Sequence, residues 1–205
     1  MNFGSALRRS RRPLRVVLPV AVAAMGLALS ACGGGGTSGG GGNTNFVAST
    51  SGIDTVAKNG RKAVDDISGQ TLEGKKLDVA SLKGKVVVLN IWGSWCPPCR
   101  AEAPHFAKVA KETEAKGVQF VGINTRDANK GSAIAFEKDY GVGYPSLYDP
   151  TGKLIVEGFP KGTLNPQAIP STIVLDRDGK IAARSLTALG ETELRKMIDP
   201  LITEK

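Results

Sequence analysis

The run Val86-Val87-Val88-Leu89-Asn90-Ile91-Trp92-Gly93-Ser94-Trp95-Cys96-Pro97-Pro98-Cys99-Arg100-Ala101-Glu102 decides the fold. An apolar, β-branched stretch of strand length gives way to Gly-Ser, then to proline at two positions ahead of a good helix-forming sequence. That order reads as a buried strand turning into a helix. The two cysteines then fall in the helix's first turn. The prolines between them suit a helix start, because their missing N–H groups have no intrahelical partner there in any case.

The placement has chemical consequences. The reactive form of cysteine is the thiolate, and the positive end of the helix dipole stabilises an anion. Cys96 is expected to be the more exposed and more acidic sulfur, with Cys99 one turn further in and close enough to close a Cys96–Cys99 disulfide. A dithiol held this way exchanges with other disulfides. Two cysteines three apart also occur as an inert bridge or as half of a zinc site. For zinc the chain offers only Cys32 and a single histidine, His105, besides this pair, short of a second ligand pair.

The chain has 205 residues and a formal charge of +8. Five of those charges are Arg8, Arg9, Arg11, Arg12 and Arg15, in a segment without acids. The basicity therefore belongs largely to an export signal, and no nucleic-acid partner is called for. Residues 1–15 form a basic n-region and Val16–Ala31 an apolar stretch interrupted by Pro19, shorter than the roughly 20 residues that span a bilayer. Leu29-Ser30-Ala31-Cys32 resembles the lipobox of bacterial lipoproteins, whose cysteine is lipidated and becomes the new N-terminus. An ordinary signal peptide cut after Ala31 is the alternative. Ser10-Arg11-Arg12-Pro13-Leu14-Arg15 also resembles a twin-arginine signal. Residues 1–31 are thus read as signal peptide and 32–60 as a lipidated tether. Gly33–Gly42 is nearly all glycine, and about 28 residues of such coil have an r.m.s. span of about 30 Å.

From residue 61 to 205 the pattern is globular. Ala63–Ile67 and Lys76–Val79 suggest a β-hairpin, and Ala80–Gly84 a single helical turn. Pro97–Lys116 suggests a helix kinked at Pro104 and stopped by Gly117. Val118–Asn124 reads as a second core strand, Ser132–Tyr140 as a second helix, and Pro145–Asp149 as a third segment, implying parallel pairing by crossover. Thr172–Asp176 and Ile181–Ser185 flank Arg177-Asp178-Gly179-Lys180, a tight-turn signal for an antiparallel hairpin. Glu191–Ile202 reads as a closing helix with Leu194, Ile198 and Leu201 at helical spacing.

Trp-Cys-Pro-Pro-Cys at a strand-to-helix junction, with Ile169-Pro170-Ser171-Thr172 entering a later strand, resembles the thioredoxin superfamily. The N-terminal hairpin, Glu102-Ala103-Pro104, and Asn90 in place of a buried aspartate resemble its membrane-tethered TlpA/ResA branch. The resemblance implies an α/β thioredoxin-like fold, a mixed central sheet flanked by helices with an N-terminal β-hairpin extension. It implies a cis Pro170 facing the disulfide, and a substrate segment held as an added strand by Ile169, with Trp95, Pro97 and Pro98 at the same surface. It also implies that Glu102, on the Cys99 face of the helix, is a base for that sulfur; a solvated surface glutamate is the plainer reading. His105 is expected at the surface. The loop Gly158–Gln167 is longer than the family pattern and is expected to border the site.

These readings describe a lipid-anchored thiol:disulfide oxidoreductase on the outer face of a bacterial membrane, with no cofactor. Its partners would be disulfide-containing exported proteins, apocytochrome c among them, and a membrane electron donor of DsbD or CcdA type. A disulfide-forming oxidant and a copper-binding assembly factor are the rival readings.

Overall fold

The computed structural model describes residues 44–204. The segment read as an export signal, Cys32 and the glycine-rich stretch lie outside the described residues. In chain order the elements are β1 (Ile53–Thr55), β2 (Ser68–Gln70), β3 (Lys76–Asp78), β4 (Val86–Trp92), α1 (Pro97–Thr113), β5 (Val118–Thr125), α2 (Lys130–Tyr140), β6 (Ser146–Asp149), α3 (Lys153–Glu157), β7 (Ser171–Leu175), β8 (Ile181–Ser185) and α4 (Glu191–Thr203). No helix among the described residues is long and apolar enough to cross a membrane.

β4 is buried at all seven positions. An apolar strand of that kind is stable only between two covered faces and two hydrogen-bonded neighbours. It pairs in parallel with β5 and antiparallel with β7, and the six-stranded sheet has the order β1-β8-β7-β4-β5-β6. Alternation along β4 sends Val86 and Val88 to one face, where Phe106 and Val109 of α1 and Leu194, Ile198 and Leu201 of α4 cover them. Val87, Leu89 and Ile91 point to the other face, packed against Ile67, Ile155 and Phe159. Asn90 and Trp92 share the α1 side by the same alternation.

Local signals hold where they concern strong punctuation. α1 starts at Pro97, runs through Pro104 and passes into a 3-10 turn that ends at Gly117, whose φ of +81° is the left-handed stop. The β7–β8 turn forms at Asp178-Gly179, braced by Asp176, whose Oδ1 accepts from the Asp178 and Lys180 amides at 3.0 and 2.9 Å.

Two expectations are corrected. The hairpin exists, but its first arm is Ser68–Gln70, not Ala63–Ile67. The register is set by the turn Thr71–Lys75, closed by the Thr71 amide on the Lys75 carbonyl, while the apolar Ile67 leaves the ladder and enters the core at 1% exposure. Folded structure also begins before residue 61, inside the range 32–60 read as a tether. Phe46, Ile53 and Val56 are buried, and β1 hydrogen-bonds to the sheet edge at β8. Three isolated apolar anchors in a polar stretch have no periodicity to reveal them. The short helix α3, N-terminally satisfied by Asp149 accepting from the Lys153 and Leu154 amides, was also unmarked.

Arg184 joins this N-terminal segment to the loop before β7. Its Nε donates to Asp54 at 2.8 Å and its Nη1 to the carbonyls of Gly162 and Thr163 at 2.7 and 2.9 Å, while its guanidinium lies 4.0 Å from the Phe46 ring centroid. Truncating one partner of such a buried pair strands the other charge. Arg184→Met is expected to cost about 3 kcal/mol in urea unfolding. Glu157→Gln, breaking the exposed Lys153–Glu157 pair, is expected to cost under about 0.5 kcal/mol. Equal costs would show that Arg184 is no clamp.

Candidate active site

β4 ends at Trp92 and α1 begins at Pro97, so Gly93-Ser94-Trp95-Cys96 makes the turn at the strand's C-terminal edge. Cys96 is the N-cap of α1, and its Sγ accepts from the Cys99 amide at 3.2 Å. The helix thereby directs an otherwise unpartnered N–H at the sulfur it must stabilise as an anion. Cys96 and Cys99 form a disulfide, with 5.3 Å between their Cα atoms.

The expected difference in exposure is not found. Cys96 is 2% and Cys99 1% exposed, because Leu72, Trp92, Ala133 and Phe136 close over the pair, with Ile169 packed against them. What distinguishes the sulfurs in this oxidised state is the amide hydrogen bond to Cys96. The exposed rim consists of Trp95, Pro97 and Pro98.

The turn is fixed from several sides. A Cβ on Gly93 would sit 2.7 Å from the Trp95 indole nitrogen and 3.2 Å from the Thr125 carbonyl, so only glycine lets the indole fold back there. The Ser94 amide and hydroxyl both donate to the Asp127 carboxylate, which also accepts from Asn124 Nδ2 at 2.6 Å. From the other side Arg100 donates to the Ser94 carbonyl at 3.1 and 2.8 Å. Below the disulfide, Trp92 stacks on Phe136 at 4.4 Å between centroids and donates to Ser146 Oγ at 3.3 Å. Gly122 permits that contact, since a Cβ there would come within 2.1 Å of Ser146 Oγ.

Pro170 arrives from a distant part of the chain. The Ile169–Pro170 bond is cis, and β7 pairs Ser171 with Ile91, so the register carries Pro170 level with Trp92. Ile169 packs against the cluster that holds both cysteines. The longer loop is tied down by Arg184, with Phe159 and Thr163 buried. His105 lies exposed on α1.

Glu102 is 2% exposed, one helical turn beyond Cys99. Its Oε1 accepts from Asn90 Nδ2 at 2.9 Å and its Oε2 from the Leu189 amide at 3.1 Å. Burial pushes its carboxyl up to about 7, opposed by those two hydrogen bonds. Glu137 on α2 is also raised to about 7 by burial, against a hydrogen bond from Ser146 and with help from Glu73. Asp127, Asn124, Glu137 and Arg126 were not singled out from sequence. No local motif marks them, and only the β4–β5 register, which sets Trp92 beside Asn124, brings the end of β5 to the cysteines.

The family model described as Redoxin matches residues 58–198. ResA of Bacillus cereus, a thiol-disulfide oxidoreductase, is 34% identical over 55% of this chain and 61% of its own length. The chain therefore spans about three fifths of that relative. ResA of Halalkalibacterium halodurans is 30% identical over 67% of this chain and 72% of its own. Among solved structures, a secreted thiol-disulfide isomerase from Corynebacterium glutamicum superposes with TM-score 0.71 at 31% identity, over 80% of this chain and all of that one. A DsbF homologue from Corynebacterium diphtheriae gives TM-score 0.68 at 37% identity, over 73% and 93%.

The fold raises the pKa of Glu102 above its ordinary 4.5, so the folded state holds the proton more tightly than the unfolded chain does. That contribution to stability is full below about pH 4.5 and is lost as pH rises to about 7, a loss of about 3 kcal/mol. Glu102→Gln does not titrate. Its stability relative to the native oxidised chain is expected to rise by about 3 kcal/mol between about pH 4 and pH 8. Denaturant unfolding across that range measures it, and a pH-independent difference would mean an ordinary carboxylate.

Proposed function

The chain belongs to the Redoxin family and has the thioredoxin-like fold, and on that basis we propose that it is a thiol:disulfide oxidoreductase acting on exported proteins through Cys96 and Cys99. The observation that carries this reading is a disulfide whose Cys96 caps the first turn of α1, with the buried Glu102 carboxyl, which burial pushes up, one turn behind it.

In the reducing direction the Cys96 thiolate attacks one sulfur of a substrate disulfide. That S–S bond breaks, the leaving sulfur takes a proton, and a mixed disulfide joins Cys96 to the substrate. Cys99 then gives its proton to the Glu102 carboxylate and attacks Cys96 Sγ, releasing the second substrate thiol. Two electrons pass to the substrate, and Cys96–Cys99 is left oxidised. A carboxyl poised near neutrality suits the base, and Asn90 and the Leu189 amide hold it in place. Ile169 and the cis Pro170 offer main chain to an extended substrate segment, with Trp95, Pro97 and Pro98 forming the rest of the docking surface.

The relatives named ResA and the secreted structural neighbours favour an extracytoplasmic setting. We extend this to a lipid anchor at Cys32, reduction of apocytochrome c during cytochrome c maturation, and recharging by a membrane electron donor of DsbD or CcdA type, because an oxidising compartment does not return the dithiol to its reduced state. A general disulfide-forming oxidant uses the same atoms in reverse, and reduction potential separates the two.

Expression of Cys99→Ala in the native host traps substrates on Cys96. Apocytochrome c is the expected capture, and a broad set of newly exported, unrelated proteins would turn the reading to oxidation. Glu102→Gln is expected to slow resolution of the mixed disulfide by about 100-fold near pH 7, read by stopped-flow fluorescence; an unchanged rate would remove Glu102 from the mechanism.

A further inference from the structure

Arg126, directly after β5, is held in a conformation that its residue type resists. Its φ is +58°, in the left-handed region that glycine adopts at no steric cost and an arginine does not. The side chain thus held lies over Trp95, with its guanidinium carbon 4.9 Å from the ring centroid. Trp95 is 46% exposed and immediately precedes Cys96, so this stacked pair flanks the point where a substrate becomes bonded to the enzyme.

The guanidinium is unspent. Among the described residues, the buried Nε and Nη2 have no hydrogen-bond partner, and no carboxylate lies within ion-pair distance of Arg126. The neighbouring acid, Asp127, directs both of its oxygens at Ser94 and Asn124 instead. An arginine fork with unpartnered donors, lying over an aromatic ring, is matched by a planar carboxylate. A turn of the guanidinium that keeps it over Trp95 would present to an arriving acceptor donors that are now buried without one.

We propose that Arg126, stacked on Trp95, is a specificity-determining residue that takes the carboxylate of an aspartate or glutamate flanking the substrate's disulfide cysteine. This rests on the oxidoreductase reading above and adds to it a substrate class, disulfides in acidic segments. Trp95 supplies the apolar floor and the stacking that aims the fork, and the cis-proline side of the site holds the main chain.

The test uses the reduced protein and pairs of peptide disulfides, identical except for Asp or Ser at the residues flanking the cysteine, with reduction followed by tryptophan fluorescence. The native chain is expected to favour the acidic peptide about tenfold in kcat/KM, mainly through KM, as one charge-assisted contact would give. Raised salt should weaken that preference. Arg126→Gly keeps the backbone conformation accessible and should bring the ratio below about twofold, and Arg126→Lys should retain only part of it. Exchange without an acidic preference in the native chain, or a preference kept intact by Arg126→Gly, overturns this inference while leaving the oxidoreductase reading in place. Failure of the native chain to reduce either peptide overturns both.

Discussion

The strand Val86–Trp92 is buried along its whole length and hydrogen-bonded on both sides, and the position of every group around Cys96 follows from that constraint. Because β4 and β5 run parallel, their C-terminal ends share an edge, and Asn124 and Asp127 reach the turn that carries the cysteines. Because β7 runs antiparallel to β4, its beginning lies at the same edge, and Pro170 comes with it. A one-residue slip in either ladder would reverse the faces of Asn90 and Trp92 and separate these groups.

Polar atoms at this site are held by scarcity of water as much as by contact. Burial pushes the Glu102 carboxyl up to about 7 because it disfavours the anion more than the hydrogen bonds from Asn90 and the Leu189 amide favour it. The Asn90 amide reaches Glu102 only because position 90 falls on the α1 face of β4. The cysteine pair is enclosed by Trp92, Phe136, Leu72 and Ala133, and the exposed residues beside it are Trp95 and the two prolines. At that rim Arg126 lies over the Trp95 ring.

The segment 44–56 belongs to the folded unit and not to a free linker. Phe46 and Asp54 meet Arg184, and Arg184 meets the loop that precedes Pro170. The segment that opens the described residues is thus tied, through one arginine, to the loop that leads into Pro170.

Residue order alone was enough for the β4-to-α1 junction, the Gly117 stop, the Asp-Gly turn between β7 and β8, and the amphipathic α4, because each depends on neighbours within a few residues: a proline's fixed φ, a glycine's freedom, a helical spacing of apolar groups. The same order pointed to Cys96, Cys99, Glu102 and Pro170 through their motifs. Burial of Cys96 as deep as Cys99, the pairing of Asn90 with Glu102, the anchoring of β1 and the meeting of Arg126 with Trp95 were decided only by tertiary structure. Those depend on which strands lie side by side and in what register, and hydrogen bonds between residues 12 to 130 positions apart leave no periodic trace along the chain.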